Sequence, residues 1–282
     1  MPYDIAAFDI GSTVAGLDIP GVREHALPTH PIGAFVGRVA ELLEAARRHD
    51  AGTPFRVVVV GGGAGGVELA FTLDRRLKDD TSGPIEVVLL EAGSQVLSGY
   101  SDSLVRRVTR RAAERGIAIR CNCGVTAAGP DVITLADGNP IPYHALIWVA
   151  GAVSHPIFRE SGLPTDDRGF VRIRSTLQFE QHDALFATGD CGTLIDHPSS
   201  AKAGVYAVRQ GPFITDNIRA LLTGAPLRSY TPQREFLTLL NLGDGTALGT
   251  KWGRTIDGRW VMKLKDWIDR RFMRRFQIRP PG

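Results

Sequence analysis

The stretch VVVVGGGAGGVELA, residues 57–70, decides how this chain is read. Four valines in a row make a short, wholly apolar run of the kind that forms a strand covered on both faces. Gly61, Gly63 and Gly66 follow in the spacing G-x-G-x-x-G and lead into a helical pattern. The three glycines have separate tasks: the first permits the tight turn, the second lets a pyrophosphate approach the backbone, and the third brings helix and strand close together. The anion then meets the unpaired N–H groups and the positive end of the helix dipole. Any strand-to-helix turn favours glycine, so the spacing alone leaves a plain glycine-rich turn open.

Glu91 narrows that choice. It ends the next apolar run, IEVVLLE, close to the offset of about 20 residues at which an acid holds an adenosine ribose. Its carboxylate would accept hydrogen bonds from the ribose hydroxyls and repel a 2′-phosphate, which favours NAD(H) over NADP(H). Arg75 and Arg76 lie on the intervening helix, so no arginine placed for a 2′-phosphate follows Glu91. An acid that only caps or solvates the strand end is the other reading. Glu68, in the first turns of the helix, is equally explained by the preference of acids for helix N-termini.

Outward from the turn, strands alternate with amphipathic helices: FRVVVVGG, VELAFTLDRRLK, IEVVLLEAG, SDSLVRRVTRRAAERG. Such alternation predicts an α/β fold with a parallel sheet covered by helices. IAIRCNCGV and DVITLADG read as a small β-meander inserted before a last parallel strand in ALIWVAGA. Upstream, YDIAAFDIGS is a short strand closed at Gly11, and IGAFVGRVAELLEAARRHD is a helix burying Phe35, Val39, Leu42 and Leu43. Downstream, ALFATGDCG leads into a second helix across AKAGVYAVRQGPFITDNIRALLTG, where Pro212 predicts a kink or restart. From about Tyr230 two strand-like runs, EFLTLLNLGDGTALGT and RWVMK, precede the charged and aromatic KDWIDRRFMRRFQ.

Composition bounds the function classes. The 282 residues are 43 % hydrophobic and 22 % charged, as in a globular protein of one large or two medium domains. A formal charge of +3 is too small to argue for nucleic acid, and no nucleic-acid motif is present. Three cysteines, Cys121, Cys123 and Cys191, do not make a disulfide scaffold, and the 7 histidines show no metal-ligand spacing. No run reaches the roughly 18 apolar residues of a membrane span. A reducing cytoplasm is the expected compartment.

YDIAAFDIGS, VVVVGGGAGGVELA, LIWVAGA and LFATGDCG occur in the order and approximate spacing of the two-dinucleotide-fold flavoproteins. Over essentially its whole length the chain resembles the pyridine nucleotide-disulfide oxidoreductase superfamily. Within it, the chain is most similar to type II NADH dehydrogenases and, through EHALPTHPI, KAGVYAVRQGP and GRWVMKLKDWIDRRFMRRF, to the flavoprotein module associated with selenide, water dikinase. The resemblance implies two Rossmann-like domains, an NAD domain inserted in an FAD domain. The expected segments are 1–52 as partial FAD domain and linker, 53–150 as NAD(H) domain, 151–229 as the second part of the FAD domain, and 230–282 as an interface region.

Relatives carry their own G-x-G-x-x-G for the ADP half of FAD well ahead of the segment matching YDIAAFDIGS, so the chain is expected to be an incomplete one. Carried over residue by residue, the resemblance puts Gly11, Ser12, Gly151, Gly189 and Asp190 among the cofactor-binding residues. The Asp190 carboxylate would hold the FAD ribityl chain, although a helix N-cap is its alternative. Lys202 and Ala203 would lie near the flavin ring, on a helix running to Gln210. Ala207 and Gln210 loosely match a quinone motif, and a solvent-facing Gln210 is an equal alternative. Glu68 resembles a glutamate placed near the nicotinamide and flavin. Glu68, Lys202 and Gln210 are thus the candidate catalytic residues, with FAD and NAD(H) as cofactors and a quinone or other small acceptor as substrate.

Cys121 and Cys123, two apart on a predicted strand, would face one side of it, away from flavin chemistry. A dithiol reductase is disfavoured. In the tail, Val261, Leu264, Ile268 and Phe272 share one helical face with Trp267 beside it. Lys263, Lys265, Arg270, Arg271, Arg274 and Arg275 outnumber Asp266 and Asp269. This basic amphipathic helix suits an anionic membrane surface, and equally docking onto the parent domain or a partner. The alternative function is a non-redox nucleotide-binding module serving a selenium- or sulfur-handling partner.

Overall fold

The computed structural model describes residues 2–233 and 235–274. In chain order its strands and helices are β1 (Ala6–Phe8), β2 (Thr13–Val14), α1 (Val22–His25), β3 (Leu27–Pro28), α2 (Ile32–Arg48), β4 (Phe55–Val60), α3 (Ala64–Asp80), β5 (Ile85–Leu90), α4 (Asp102–Arg115), β6 (Ala118–Arg120), β7 (Val125–Ala128), β8 (Val132–Leu135), β9 (Pro140–Pro142) and β10 (Ala145–Trp148). They continue as β11 (Ala152–Val153), α5 (Ile157–Glu160), β12 (Val171–Ile173), β13 (Gln178–Phe179), β14 (His182–Ala187), β15 (Gly192–Leu194), α6 (Gly204–Thr223), β16 (Thr238–Asn241), β17 (Ala247–Lys251), β18 (Arg254–Gly258) and α7 (Arg259–Met273).

These elements form two compact units, each made of two chain segments: residues 1–15 with 152–236, and residues 16–151 with 237–282. Residues 16–52 therefore fold with the glycine-turn unit and not with the first segment. The reason is α2, whose Phe35, Leu42, Leu43 and Ala46 join the core around α3 and β4. Residues 237–274 belong to that unit as well, because Leu240, Leu242 and Leu248 enter the same core. Burying a leucine of this kind is worth about 1.5–3 kcal/mol.

The glycine-turn unit is built on a parallel five-stranded sheet in the order β3-β10-β4-β5-β6. β4 is interior, and Val57, Val58 and Val59 are fully buried, which is why its sequence is apolar without alternation. α4 starts at Ser101, whose hydroxyl accepts the Leu104 N–H, and ends at Gly116 in the left-handed conformation. The expected meander is the antiparallel sheet β7-β8-β9. The C-terminal strands β16-β17-β18 form an antiparallel sheet with α7 against it.

Three local readings are corrected. RWVMK, expected as a strand, is the first turn of α7, and its Val261 is buried in the helical face that meets the sheet. Cys121 and Cys123 do not lie on a strand: β6 stops at Arg120, and Asn122 between them takes a left-handed φ of 55°. The cause is the neighbouring turn, since Asn122 and Cys123 give their backbone N–H groups to Gly93 and Glu91 carbonyls. Lys202 and Ala203 precede α6, which runs unbroken through Pro212.

The other unit has a mixed five-stranded sheet, β1-β14-β13-β12-β15, in which β1 runs parallel to β14 and β12 parallel to β15. Its core gathers Phe158, Phe179, Phe186 and Ile173, with α6 contributing Ile214.

Candidate functional site

In the glycine-turn unit the three motif glycines differ in the space around them. A Cβ on Gly61 would stand 2.6 Å from the Val149 carbonyl oxygen, and Gly61 has a φ of +117°. On Gly66 it would stand 1.7 Å from the Gly61 carbonyl oxygen, so the start of α3 and the end of β4 touch there. Around Gly63 nothing lies within 4 Å of that position. Gly63 is also the N-cap of α3 and provides no side-chain cap, leaving the first N–H groups of the helix for an anion. Two glycines thus serve packing and the third leaves open space at the helix start, an arrangement that fits the pyrophosphate of a dinucleotide.

Glu91 reaches into this turn. Its Oε2 accepts the Gly62 N–H at 2.7 Å and its Oε1 the Gly93 N–H at 2.7 Å. The carboxylate is thereby fixed beside the turn with lone pairs left for further donors such as ribose hydroxyls. These two bonds are those of an acid that caps the strand end, and they leave it placed to accept from a ribose as well. Gly151 lies after β10 with open space about its Cα.

Glu68 is engaged elsewhere. Its Oε1 accepts the Asn241 N–H at 2.7 Å and lies 4.0 Å from Lys265 Nζ of α7. Burial pushes its carboxyl above the usual range, while the Asn241 hydrogen bond and Lys265 oppose the shift. In this unit Glu68 ties α3 to the C-terminal sheet.

In the other unit, Gly11, Ser12, Gly189 and Asp190 come together. Ser12 Oγ donates to Asp190 Oδ2 at 3.3 Å, and a Cβ on Gly189, whose φ is +69°, would stand 2.9 Å from Asp9 Oδ1. Asp9, which the sequence did not single out, has its carboxyl pushed up by desolvation and by the charge of Asp190. Gln210 is buried, not solvent-facing: its Oε1 accepts from Thr188 Oγ1 at 3.0 Å and from the Gly189 N–H at 2.7 Å. It fixes the turn carrying Asp190. A cleft here is lined by Gly189, Asp190, Thr193, Lys202, Tyr206 and Gln210. Its mix of a fixed carboxylate, an ammonium and left-handed glycine fits the ribityl and ring end of a flavin dinucleotide.

Lys202 Nζ donates to the Gly192 carbonyl at 2.7 Å and to Thr193 Oγ1 at 3.0 Å, and lies 3.9 Å from the centre of the Phe170 ring. Burial holds its pKa down at about 8, against the opposing pull of Asp166 and Asp190. Ala203 is the N-cap of α6, again without a side-chain cap. Cys191 is buried, with its thiol directed to the Phe8 and Thr188 carbonyls and its pKa raised by burial. Cys121 is likewise pushed up by desolvation, and Cys123 donates its thiol to the Cys121 carbonyl. Neither pattern is that of an activated thiolate. Among the described residues no group of three or more His, Cys, Asp or Glu side chains is placed to hold a metal.

A parallel sheet bearing this glycine turn, together with the Thr188–Asp190 turn and its buried glutamine, is the pattern on which the comparison with known proteins bears. The family model described as pyridine nucleotide-disulphide oxidoreductase matches residues 7–211. The chain belongs to this family. A type II NADH:quinone oxidoreductase of Haemophilus influenzae is 30 % identical over 73 % of this chain and 50 % of its own length. A probable NADH dehydrogenase of Dictyostelium discoideum is 28 % identical over 69 % of this chain and 47 % of its own. The chain thus spans about half the length of these curated relatives. Among solved structures, NDH2 of Plasmodium falciparum in complex with NADH superposes with a TM-score of 0.78 at 12 % identity, over 95 % of this chain and 74 % of that one.

On α7, the face expected to carry Val261, Leu264, Ile268 and Phe272 is turned inward: Val261 is buried, and the other three are half-buried. What faces outward is Trp260, Trp267 and Met273 with Lys263, Arg270, Arg271 and Arg274. Arg271 lies over the Trp267 ring. Arg275 falls outside the described residues. No helix among the described residues is long and apolar enough to cross a membrane.

Proposed function

We propose that this chain acts in FAD-dependent oxidation of NADH with a quinone as electron acceptor. The observation that carries the reading is the Gly61–Gly66 turn at the uncapped start of α3, with the Glu91 carboxylate anchored beside it. The quinone is suggested by the name of the Haemophilus relative. In this reading Gly63 admits the pyrophosphate, the α3 N–H groups bind it, and Glu91 accepts the ribose hydroxyls and disfavours a 2′-phosphate. Asp190, held by Ser12, would accept from the ribityl hydroxyls, and Gln210 keeps the backbone at Gly189 in place. When bound, the flavin supplies the hydride-accepting and electron-releasing chemistry. Lys202 presents a cation in the cleft.

The same reading extends to a peripheral membrane site, where a quinone is reached. The outward Trp260 and Trp267 with the basic residues of α7 suit the headgroup region of an anionic bilayer. A functional link to selenide, water dikinase rests on sequence likeness alone.

The deciding experiment incubates the purified chain with FAD and follows NADH absorbance with menadione as acceptor. NADH consumption dependent on both FAD and menadione is expected. Binding of NADH without consumption would sink the redox reading in favour of the non-redox nucleotide-binding module. Co-sedimentation with phosphatidylglycerol vesicles, lost at high salt, tests the membrane contact.

A further inference from the structure

Lys202 is the end of a hydrogen-bond chain whose polarity is fixed. Asp166 is anchored by the backbone: its Oδ1 accepts the N–H groups of Arg168 at 3.0 Å and Phe170 at 2.9 Å. Its Oδ2 accepts from Thr193 Oγ1 at 2.7 Å. An ionised carboxylate is an acceptor only, so the Thr193 hydroxyl must point its hydrogen at Asp166. Thr193 then has only lone pairs to offer Lys202, whose Nζ donates to it at 3.0 Å and to the Gly192 carbonyl at 2.7 Å. An ammonium has three hydrogens, and this arrangement uses two. A neutral amine still has two, so Lys202 can lose one proton and keep both hydrogen bonds.

We propose that Asp166 and Thr193 are positioning residues that hold Lys202 as the proton donor to the acceptor molecule reduced in this cleft. The inference rests on the redox reading above. The balance is simple: oxidation of NADH by a quinone transfers a hydride equivalent and consumes one proton. The Lys202 N–H bond breaks and a quinol O–H bond forms, and NADH is oxidised as the quinone is reduced. The amine then regains a proton from water at the mouth of the cleft. The charged groups acting on Lys202 are Asp166 and Asp190, which favour the ammonium, and Arg168, which disfavours it; the Cys191 thiol, raised by burial, and His197 also face this region. Desolvation outweighs them and places the titration near 8, where a donor exchanges readily with water.

Competitive acetylation of the purified chain at graded pH, read at Lys202 by mass spectrometry, measures the titration without turnover. The wild type should show a midpoint of about 8. Asp166→Asn keeps an oxygen for the two backbone donors but loses the charge, and should lower the midpoint by on the order of one unit. Thr193→Val should lower it too, and Thr193→Ser should restore it.

In menadione reduction with FAD present, the alkaline limb of the pH profile should move with these midpoints. Lys202→Arg keeps the charge but cannot give up a proton, and should slow reduction by about 100-fold. An ordinary lysine midpoint, an alkaline limb indifferent to the variants, or a fast Lys202→Arg enzyme would overturn the proposal. A wild type that consumes no NADH at any pH would instead bring down the redox reading, and this inference with it.

Discussion

Arg115 of α4 closes on Asp74 of α3 with two nitrogens on one carboxylate oxygen, at 3.1 Å from Nε and 2.8 Å from Nη2. Asp74 is almost wholly buried, and the same guanidinium donates to the carbonyls of Phe71 and Leu242. One side chain thus joins two helices of the parallel unit to the loop after β16.

Removing Arg115 leaves a buried carboxylate whose remaining cationic partner among the described residues is Lys78. Arg115→Met should destabilise the glycine-turn unit by about 3 kcal/mol, and the double variant with Asp74→Leu by less, because the stranded charge is gone. Urea unfolding of both variants checks this, and equal losses would count against it.

The glycines of the turn should separate by role. Gly66→Ala puts a methyl group where the Gly61 carbonyl oxygen stands, so folding of the unit should fail or NADH binding should vanish with a large loss of stability. Gly63→Ala meets no protein atom, so the unfolding curve should be unchanged while NADH affinity drops by roughly tenfold or more through the lost approach of the pyrophosphate. Calorimetric titration beside thermal unfolding distinguishes the two.

Glu91→Ser should exchange a repelling carboxylate for a small neutral donor. NADH affinity should fall by about tenfold, and the preference over NADPH should narrow by more than that. Parallel titrations with the two nucleotides read the ratio. An unchanged ratio would mean that Glu91 only braces the turn through Gly62 and Gly93.

His144 carries a pH dependence of stability. Its Nδ1 accepts the Arg56 N–H at 2.9 Å, and its pKa is lowered by desolvation, with His49 and Arg56 adding to the shift. The unfolded chain therefore binds a proton more readily than the folded one between the lowered value and about 6.5. The stability is full above about 6.5 and is lost as pH falls through the folded pKa. Thermal unfolding between pH 5 and 7.5 should show a steeper acid-side loss for the wild type than for His144→Gln.

Much of the parallel unit was legible because its signals are local. The valine run, the glycine spacing and the amphipathic segment SDSLVRRVTRRAAERG each act within a few residues, and β4, α3 and α4 lie where those patterns put them. The place of Glu91 beside the turn was legible through its offset. The relay of Asp166, Thr193 and Lys202 was not, because it joins a loop, a strand and the approach to α6 through side-chain hydrogen bonds that leave no periodicity. Glu68 gave an ambiguous signal for the same reason: its partner, Asn241, is 173 positions away. The apolar stripe of α7 was seen, but a stripe does not say what covers it. Its cover is the three-stranded sheet beside it.

That C-terminal sheet also sets an order of events during synthesis. Leu240, Leu242 and Leu248 complete the core around α3, and Asn241 and Leu242 satisfy Glu68 and Arg115. All emerge from the ribosome after the whole of residues 152–236, which build the other unit. The glycine turn is made early, yet the helix that bears it waits for residues beyond 236 before its side toward β16 is covered. A nascent chain stalled before β16 would leave the side of α3 around Glu68 and Phe71 uncovered, and a ribosome-release variant ending there would be a client for degradation.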